Sequence, residues 1–382
     1  MACMYELRYF DNAATTVMSE SSLRTYQEVA SAYIGNPSAL HQKGLEAKAY
    51  LQQNRARVAS LLQIGEGQLI FTSGATEANA IVLESLIWRQ QKGHVILSAI
   101  EHPSVSEFAR LLKHLGWSVS FLNAPGGFIR CEDLQKALTK QTRLVSLMLV
   151  NNVVGSIQDI RSLVRTVREF EKQAGGRHIH FHTDATQALG KIRFSLSELG
   201  VDSAAFSAHK FHGPRGVGML YNANPALENL SRAGDQEGGL RGGTENLAGI
   251  AAMTTALEEA YASLDRNLGQ VGEINAYLRE RLGSFTILSP SQSCSPYILN
   301  LSVKPLPSEV FTRMLYDRGF CVSSGSACSN NAKQKGEGVL TAMHYHNELA
   351  KSSLRLSFSN DTTLSDAEAL ADAIISLYQE HA

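Results

Sequence analysis

The chain has 382 residues, enough for roughly two or three domains and a core that buries about three quarters of the unfolded surface. With 44% hydrophobic residues, 19% charged residues and a net charge of −1, it lacks the basic excess of a nucleic-acid binder, and small-molecule chemistry is the expectation. No 18 apolar residues run together, Glu6, Arg8 and Asp11 interrupt any signal-peptide core, and the five cysteines form no C-x-x-C pair, so membrane, secretory, disulfide and zinc classes drop out and a cytoplasmic location is expected.

From about Gln68 short apolar runs alternate with helix-period segments. Leu69–Thr72 precedes Glu77–Gln91, and His94–Ser98 precedes Pro103–Leu115. Ser118–Leu122 and Arg143–Val150 follow, then Ile160–Ala174, His178–Asp184, Asp202–Ser207 and Gly216–Tyr221. This alternation predicts an α/β fold with a mostly parallel sheet covered by helices on both faces, and ligands beyond the carboxyl ends of the strands. After Asn246 the pattern is helical for some 35 residues, and from about Phe285 strands and helices come in a different order. The expected organisation is a large ligand-binding domain over 21–265 and a smaller α/β domain over 266–382, with 1–20 packing on the small domain. Asn330–Gly338 has the polar, glycine-containing composition of a loop.

Lys210 stands between His209 and His212 in Ser207-Ala208-His209-Lys210-Phe211-His212-Gly213-Pro214, with Asp184 26 residues upstream. A lysine held in a pocket beside other cations favours its neutral, nucleophilic form and can make a Schiff base. An acid facing it from the next strand end suits a cofactor of the pyridoxal phosphate type, because a carboxylate keeps the pyridine nitrogen protonated and the ring an electron sink. Ser73-Gly74-Ala75-Thr76-Glu77 reads as a strand-to-helix turn whose free N–H groups suit a phosphate, or as an ordinary helix start capped by Glu77. It matches neither the Walker pattern nor G-x-G-x-x-G.

His102, after the strand ending at Ser98, either lies on a pyridine ring or is structural, and Asn151-Asn152 offers an amide at the same rim. Arg355 alternates with apolar residues in Ser353-Leu354-Arg355-Leu356-Ser357, where it pairs either with a substrate carboxylate or with an internal acid. Cys328 sits in a small-residue turn, unlike Cys321 in its apolar surroundings, and is the better candidate for a reactive thiol. His178, His180 and His182 share one strand face, which suits a metal or a packed sheet face; no acid or thiol completes a ligand set, and no metal is expected.

The chain resembles the cysteine desulfurases, fold-type I pyridoxal-phosphate enzymes of the class V aminotransferase group, over essentially its whole length. The matching segments include FDNAATT (10–16), GNPSALH (35–41), FTSGATEANA (71–80), EHPSV (101–105), HTDATQALGK (182–191), SAHKFHGPRGVG (207–218), LRGGTEN (240–246), SSGSACS (323–329) and SSLRLSFS (352–359). The resemblance implies that Lys210 binds pyridoxal 5'-phosphate covalently, that Asp184 faces its pyridine nitrogen and Gln187 its phenolic oxygen, and that His102 stacks on the ring. By the same resemblance, Ala75, Thr76, Ser207 and His209 would hold the phosphate, joined by Thr244 from the second subunit of a homodimer. Asn36, Asn152 and Arg355 would bind the substrate carboxylate, and Cys328 would take sulfur from L-cysteine as a persulfide for an acceptor protein such as an iron–sulfur scaffold, or for transfer-RNA thiolation. Val153 replaces the polar residue usual after Asn-Asn, and the loop after Cys328 departs from the usual sequence, which leaves the acceptor open. A selenocysteine lyase or an aminotransferase on the same fold is the alternative.

Overall fold

The computed structural model describes residues 7–225, 227–228, 230, 233–325 and 338–381. Cys328 and most of Asn330–Gly338 lie outside the described residues. The first strands in chain order are β1 (Arg8–Tyr9), β2 (Leu69–Thr72), β3 (His94–Ser98), β4 (Ser118–Leu122), β5 (Thr142–Ser146), β6 (His180–Asp184), β7 (Ser203–Ser207) and β8 (Gly218–Asn222). Seven of them form one sheet in the order β2-β8-β7-β6-β5-β3-β4, parallel except for β8, which runs against both its neighbours.

Side chains on alternate sides of these strands enter two cores. Phe71, Ile96, Val145, Phe181 and Phe206 pack on one face with Val58, Leu163 and Met253 of the helices Gln42–Leu62, Ile160–Gln173 and Leu247–Ala262. Ile70, Val95, Leu97, Leu144 and Leu220 pack on the other with Val82 and Leu112 of Ala75–Glu84 and Phe108–His114. Burial on both faces explains the near-continuous apolar runs of the sequence. Edge strand β2 is blunted by Glu237, whose carboxylate accepts the Phe71 N–H at 2.8 Å while pairing with Arg55.

Two strands are shorter than their apolar runs because side chains capture the backbone. Glu171 accepts the N–H of Ile179 and Arg168 donates to its carbonyl, so the ladder of β6 begins at His180. Thr183 donates to the Leu147 carbonyl, and the chain leaves regular pairing after Ser146. The expected helix Pro103–Leu115 is two, Pro103–Ser106 and Phe108–His114, and Glu77–Gln91 is replaced by the earlier, shorter Ala75–Glu84.

Toward the C-terminus come β9 (Thr286–Ile287), β10 (Ile298–Ser302), β11 (Phe320–Cys321), β12 (Ser323–Ser324) and β13 (Ser353–Ser357). Four of these make an antiparallel sheet in the order β12-β13-β10-β9, and β1 pairs in parallel with β11. Phe10, next to β1, packs against Phe320 and Phe358 in the core beneath this sheet. The segment after it, from Asp11 onward, therefore crosses from the small sheet to the rim of the large one.

Candidate active site

The carboxyl ends of β2, β6 and β7 and the turns after β3 and β5 open on one cavity of about 570 Å³. Of the candidate residues, Ala75, Thr76, His102, Asn152, Asp184, Gln187, Ser207, His209, Lys210 and Arg355 line it. Asn36 and Thr244 do not: they are exposed, 3.4 Å apart between Nδ2 and Oγ1, outside this cavity. A larger hollow of about 930 Å³ between the Gln42–Leu62 helix and residues 234–245 holds none of the candidate residues, which makes the smaller cavity the candidate site.

Lys210 follows β7 in a single helical turn, and its Nζ donates to the carbonyls of Ala13 and Ala14, both at 2.6 Å. Gln187 donates to the same Ala13 carbonyl at 2.8 Å and accepts from the Nζ of Lys191 at 3.0 Å. Lys191 is buried against the Tyr297 ring, and burial, with Lys210 and Arg355 nearby, brings its ammonium down to about 7. His209 is held at about 4 by burial and by the positive charges of Lys210, Arg215 and Lys191. The cluster thus stands as neutral imidazole beside amines whose charged forms disfavour one another.

Asp184 ends β6. One oxygen accepts from Asn79 Nδ2 at 2.9 Å and the other from the Thr186 N–H at 3.0 Å. His102 caps the helix Pro103–Ser106: its Nδ1 accepts the Ser104 N–H at 3.1 Å and lies 2.9 Å from the Ser104 hydroxyl. With Nδ1 an acceptor, the ring proton sits on Nε2, and burial lowers the imidazole below its usual range despite the raising effect of Asp184. Adjoining it, Glu101 is fully buried and pushed up to about 8, with Ser98 and the Met148 N–H on one oxygen.

Gly74, at φ 153°, turns β2 into the helix Ala75–Glu84, whose first turn presents the N–H groups of Ala75 and Thr76 without intrahelical acceptors. Glu77 closes back on the Ser73 N–H, as an ordinary helix start would have it, and that contact does not occupy the Ala75 and Thr76 amides. A Cβ on Gly218 would fall 2.5 Å from Gly74 Cα, which keeps the floor of this cradle glycine.

Arg355 donates to the Asn152 carbonyl at 3.0 Å and to Asp11 at 2.7 Å. The internal acid of the sequence reading is therefore Asp11, 344 residues away. Asn151 and Asn152 separate in role: Asn151 is consumed by the Ile100 carbonyl and the Val153 and Val154 amides, whereas Asn152 borders the cavity. Among the three strand histidines, His178 pairs with Asp202, and His180 and His182 are buried in hydrogen bonds to Ser203. Among the described residues no His, Cys, Asp and Glu groups gather as a metal set.

Asp11, Ala13, Asn79, Thr186 and Lys191 were given no part from the sequence. FDNAATT lay among the matching segments, but its contribution to Lys210 is two main-chain carbonyls, which no side-chain pattern announces. Two buried polar atoms at the cavity have no partner among the described residues: Thr186 Oγ1 and Arg355 Nε. With an amide cradle for a phosphate, a carboxylate for a pyridinium nitrogen and an amine for an aldehyde, this donor set fits pyridoxal phosphate.

The family model for aminotransferase class-V matches residues 8–370. A "NifS/IcsS protein homolog" of Lactobacillus delbrueckii subsp. bulgaricus is 38% identical, covering 97% of each chain, and a "Cysteine desulfurase IscS" of Dictyoglomus turgidum is 34% identical, covering 96% of this chain and 93% of its own. A solved "NIFS-LIKE PROTEIN" superposes with a TM-score of 0.90 at 31% identity over 98% of this chain and all of its own, and "SspA in complex with cysteine" with 0.78 at 27% over 92% and 99%. The chain belongs to the class-V aminotransferase family, whose members use pyridoxal phosphate, and within it to the cysteine desulfurases.

Proposed function

We propose that this protein is a cysteine desulfurase that converts L-cysteine to L-alanine and keeps the sulfur as a persulfide on Cys328. The observation that carries the reading is the convergence of Lys210, Asp184 and the Ala75–Thr76 amides on one cavity in a chain of this family. Ala75, Thr76, Ser207 and His209 would hold the phosphate, Asp184 the pyridine nitrogen and Gln187 the phenolic oxygen, with His102 against the ring. Bound pyridoxal phosphate supplies an electron sink for the pair left when the substrate's α-proton is removed.

Lys210 would hold the cofactor's aldehyde carbon, and its amine, when free, would be the base placed to move the substrate's α-proton. Its contacts to the Ala13 and Ala14 carbonyls hold the amine at the cavity until then. Arg355, with Asn152, orients the substrate carboxylate, and its Nε, without a partner among the described residues, supports that role. The Cys328 thiolate attacks the substrate sulfur; the C–S bond breaks, an S–S bond forms, and the carbon gains a proton to become alanine.

The same reading makes the enzyme a cytoplasmic homodimer that hands its sulfur to an acceptor protein such as an iron–sulfur scaffold, or to transfer-RNA thiolation. Thr244 and Asn36, exposed side by side away from their own cavity, support a site shared between subunits, Thr244 reaching the partner's phosphate and Asn36 the substrate carboxylate. No helix among the described residues is long and apolar enough to cross a membrane.

Incubating the purified holoenzyme with L-cysteine alone should yield alanine and one extra sulfur on the protein by intact mass. Turnover that needs a keto-acid acceptor, or that proceeds with selenocysteine and not cysteine, would replace the desulfurase by the aminotransferase or the lyase.

A further inference from the structure

The strand histidines take no part in the chemistry above, yet the structure ties them to it. Asn79 is fully buried in the helix Ala75–Glu84, and its Nδ2 donates to Asp184 and to the Ser104 hydroxyl, both at 2.9 Å. With both amide protons spent, Asn79 Oδ1 accepts from His182 Nε2 at 2.8 Å, so this ring carries its proton on Nε2. His182 Nδ1 must then accept from the Ser203 hydroxyl at 2.8 Å, and that hydroxyl, its proton used, accepts from His180 Nε2 at 2.7 Å. His180 Nδ1 accepts from Asn224 at 3.2 Å.

Every donor along Asn224, His180, Ser203, His182 and Asn79 therefore points one way, toward Asp184. A branch through Ser104 ends on His102 Nδ1 and fixes that ring's tautomer. Asn79, His182 and Ser203 are fully buried, and no apolar packing requirement calls for an amide and two imidazoles there. Burial holds His182 at about 4 and His180 at about 3, below which a second ring proton would turn Nδ1 from acceptor to donor and break the line at that ring; Asp202, His178 and Arg89 are the other charged groups around His180.

We propose that Asn79 and His182 are positioning residues for the reaction, which lock Asp184 as an acceptor and His102 in its Nε2–H form through one directed line of hydrogen bonds. The inference rests on the reading that Asp184 meets the cofactor's pyridine nitrogen. A protonated ring nitrogen repels a second proton on the lysine-linked nitrogen, so loosening Asp184 should raise the pH at which the visible absorption of the bound cofactor converts.

The test titrates that absorption in holoenzyme carrying His182→Leu, His182→Gln, Asn79→Ala, Ser203→Ala or Asp184→Asn, and measures cofactor dissociation and Tm for each. His182→Leu and Asn79→Ala should move the midpoint upward and weaken cofactor binding roughly tenfold, the effect of one charge-assisted hydrogen bond. His182→Gln, which keeps a donor and an acceptor, should recover most of the loss. Ser203→Ala, which removes little volume and tests the line should His182→Leu fail to fold, should give a smaller shift in the same direction.

If Asp184→Asn moves the midpoint while the Asn79, His182 and Ser203 variants lower only Tm, the positioning role is wrong and the reading of Asp184 stands. If Asp184→Asn leaves the midpoint in place, both fall.

Discussion

The two walls of the cavity are built on different principles. On the sheet side Asp184 lines the cavity, and behind it Asn79, His182 and Ser203 are buried and bonded side chain to side chain at 2.8–2.9 Å. On the opposite side, Lys210 and Gln187 hold main-chain carbonyls of the 11–16 segment, and Arg355 holds Asp11 and the Asn152 carbonyl. Those contacts bring together residues 174 to 344 apart in sequence, and a ligand's own oxygens can replace them. On the proposed function, one wall would be fixed behind the cofactor, while the other would exchange its present contacts for those of the bound cofactor and substrate.

The sharpest break in this comparison is Lys210→Ala, which removes the amine proposed to hold the cofactor and to move the α-proton. Turnover should fall by on the order of 10³ or more, while cofactor stays bound without a covalent link. A borohydride-reducible link at another lysine would show the wrong residue had been chosen. Asp184→Ala, on the fixed wall, should slow turnover by about 10²-fold and weaken cofactor retention; alanine production at the parent rate would separate Asp184 from the chemistry.

For Arg355, which touches only the substrate in the proposed function, the effect should appear in KM. Arg355→Lys should raise KM for L-cysteine roughly tenfold by losing the planar fork, with kcat changed less. Steady-state kinetics decide it, and an effect confined to kcat would move Arg355 to the fixed wall.

Lys191→Met tests the support behind Gln187 and should have the smallest effect. The unfolded chain holds the Lys191 proton up to about pH 10.5 but the folded protein only to about 7, so between these values unfolding takes up a proton. Parent stability relative to the Met variant should therefore rise with pH from about 7 to 10.5, and lie lowest below 7. Equal pH dependence of Tm in the two proteins would mean that Lys191 is not held neutral.

The strand ends were legible in the sequence: β2, β3 and β4 begin and end where their apolar runs do, and each of β2, β3, β6 and β7 delivers a polar group to the rim. The contacts that hold the candidate groups in place were not. The pairing of Arg355 with Asp11 depends on where β1 and β13 come to rest, and the hold on Lys210 is made by carbonyls that every residue carries. Asn79 was hidden because a polar residue inside a helix ordinarily reads as exposed, and His180 and His182 because their partners come from neighbouring segments. Cys321 was told from Cys328 by surroundings alone; burial and Asp11 hold its thiol above the usual range, as suits an inert one.

The most direct test of the account is Cys328→Ser given L-cysteine, with alanine measured alongside persulfide by intact mass. With Lys210, Asp184 and Arg355 untouched, substrate should still bind and change the cofactor's visible spectrum, whereas persulfide and catalytic alanine release should disappear, and Cys321→Ser should behave much like the parent. A Cys328→Ser enzyme that releases alanine at the parent rate would contradict the desulfurase mechanism.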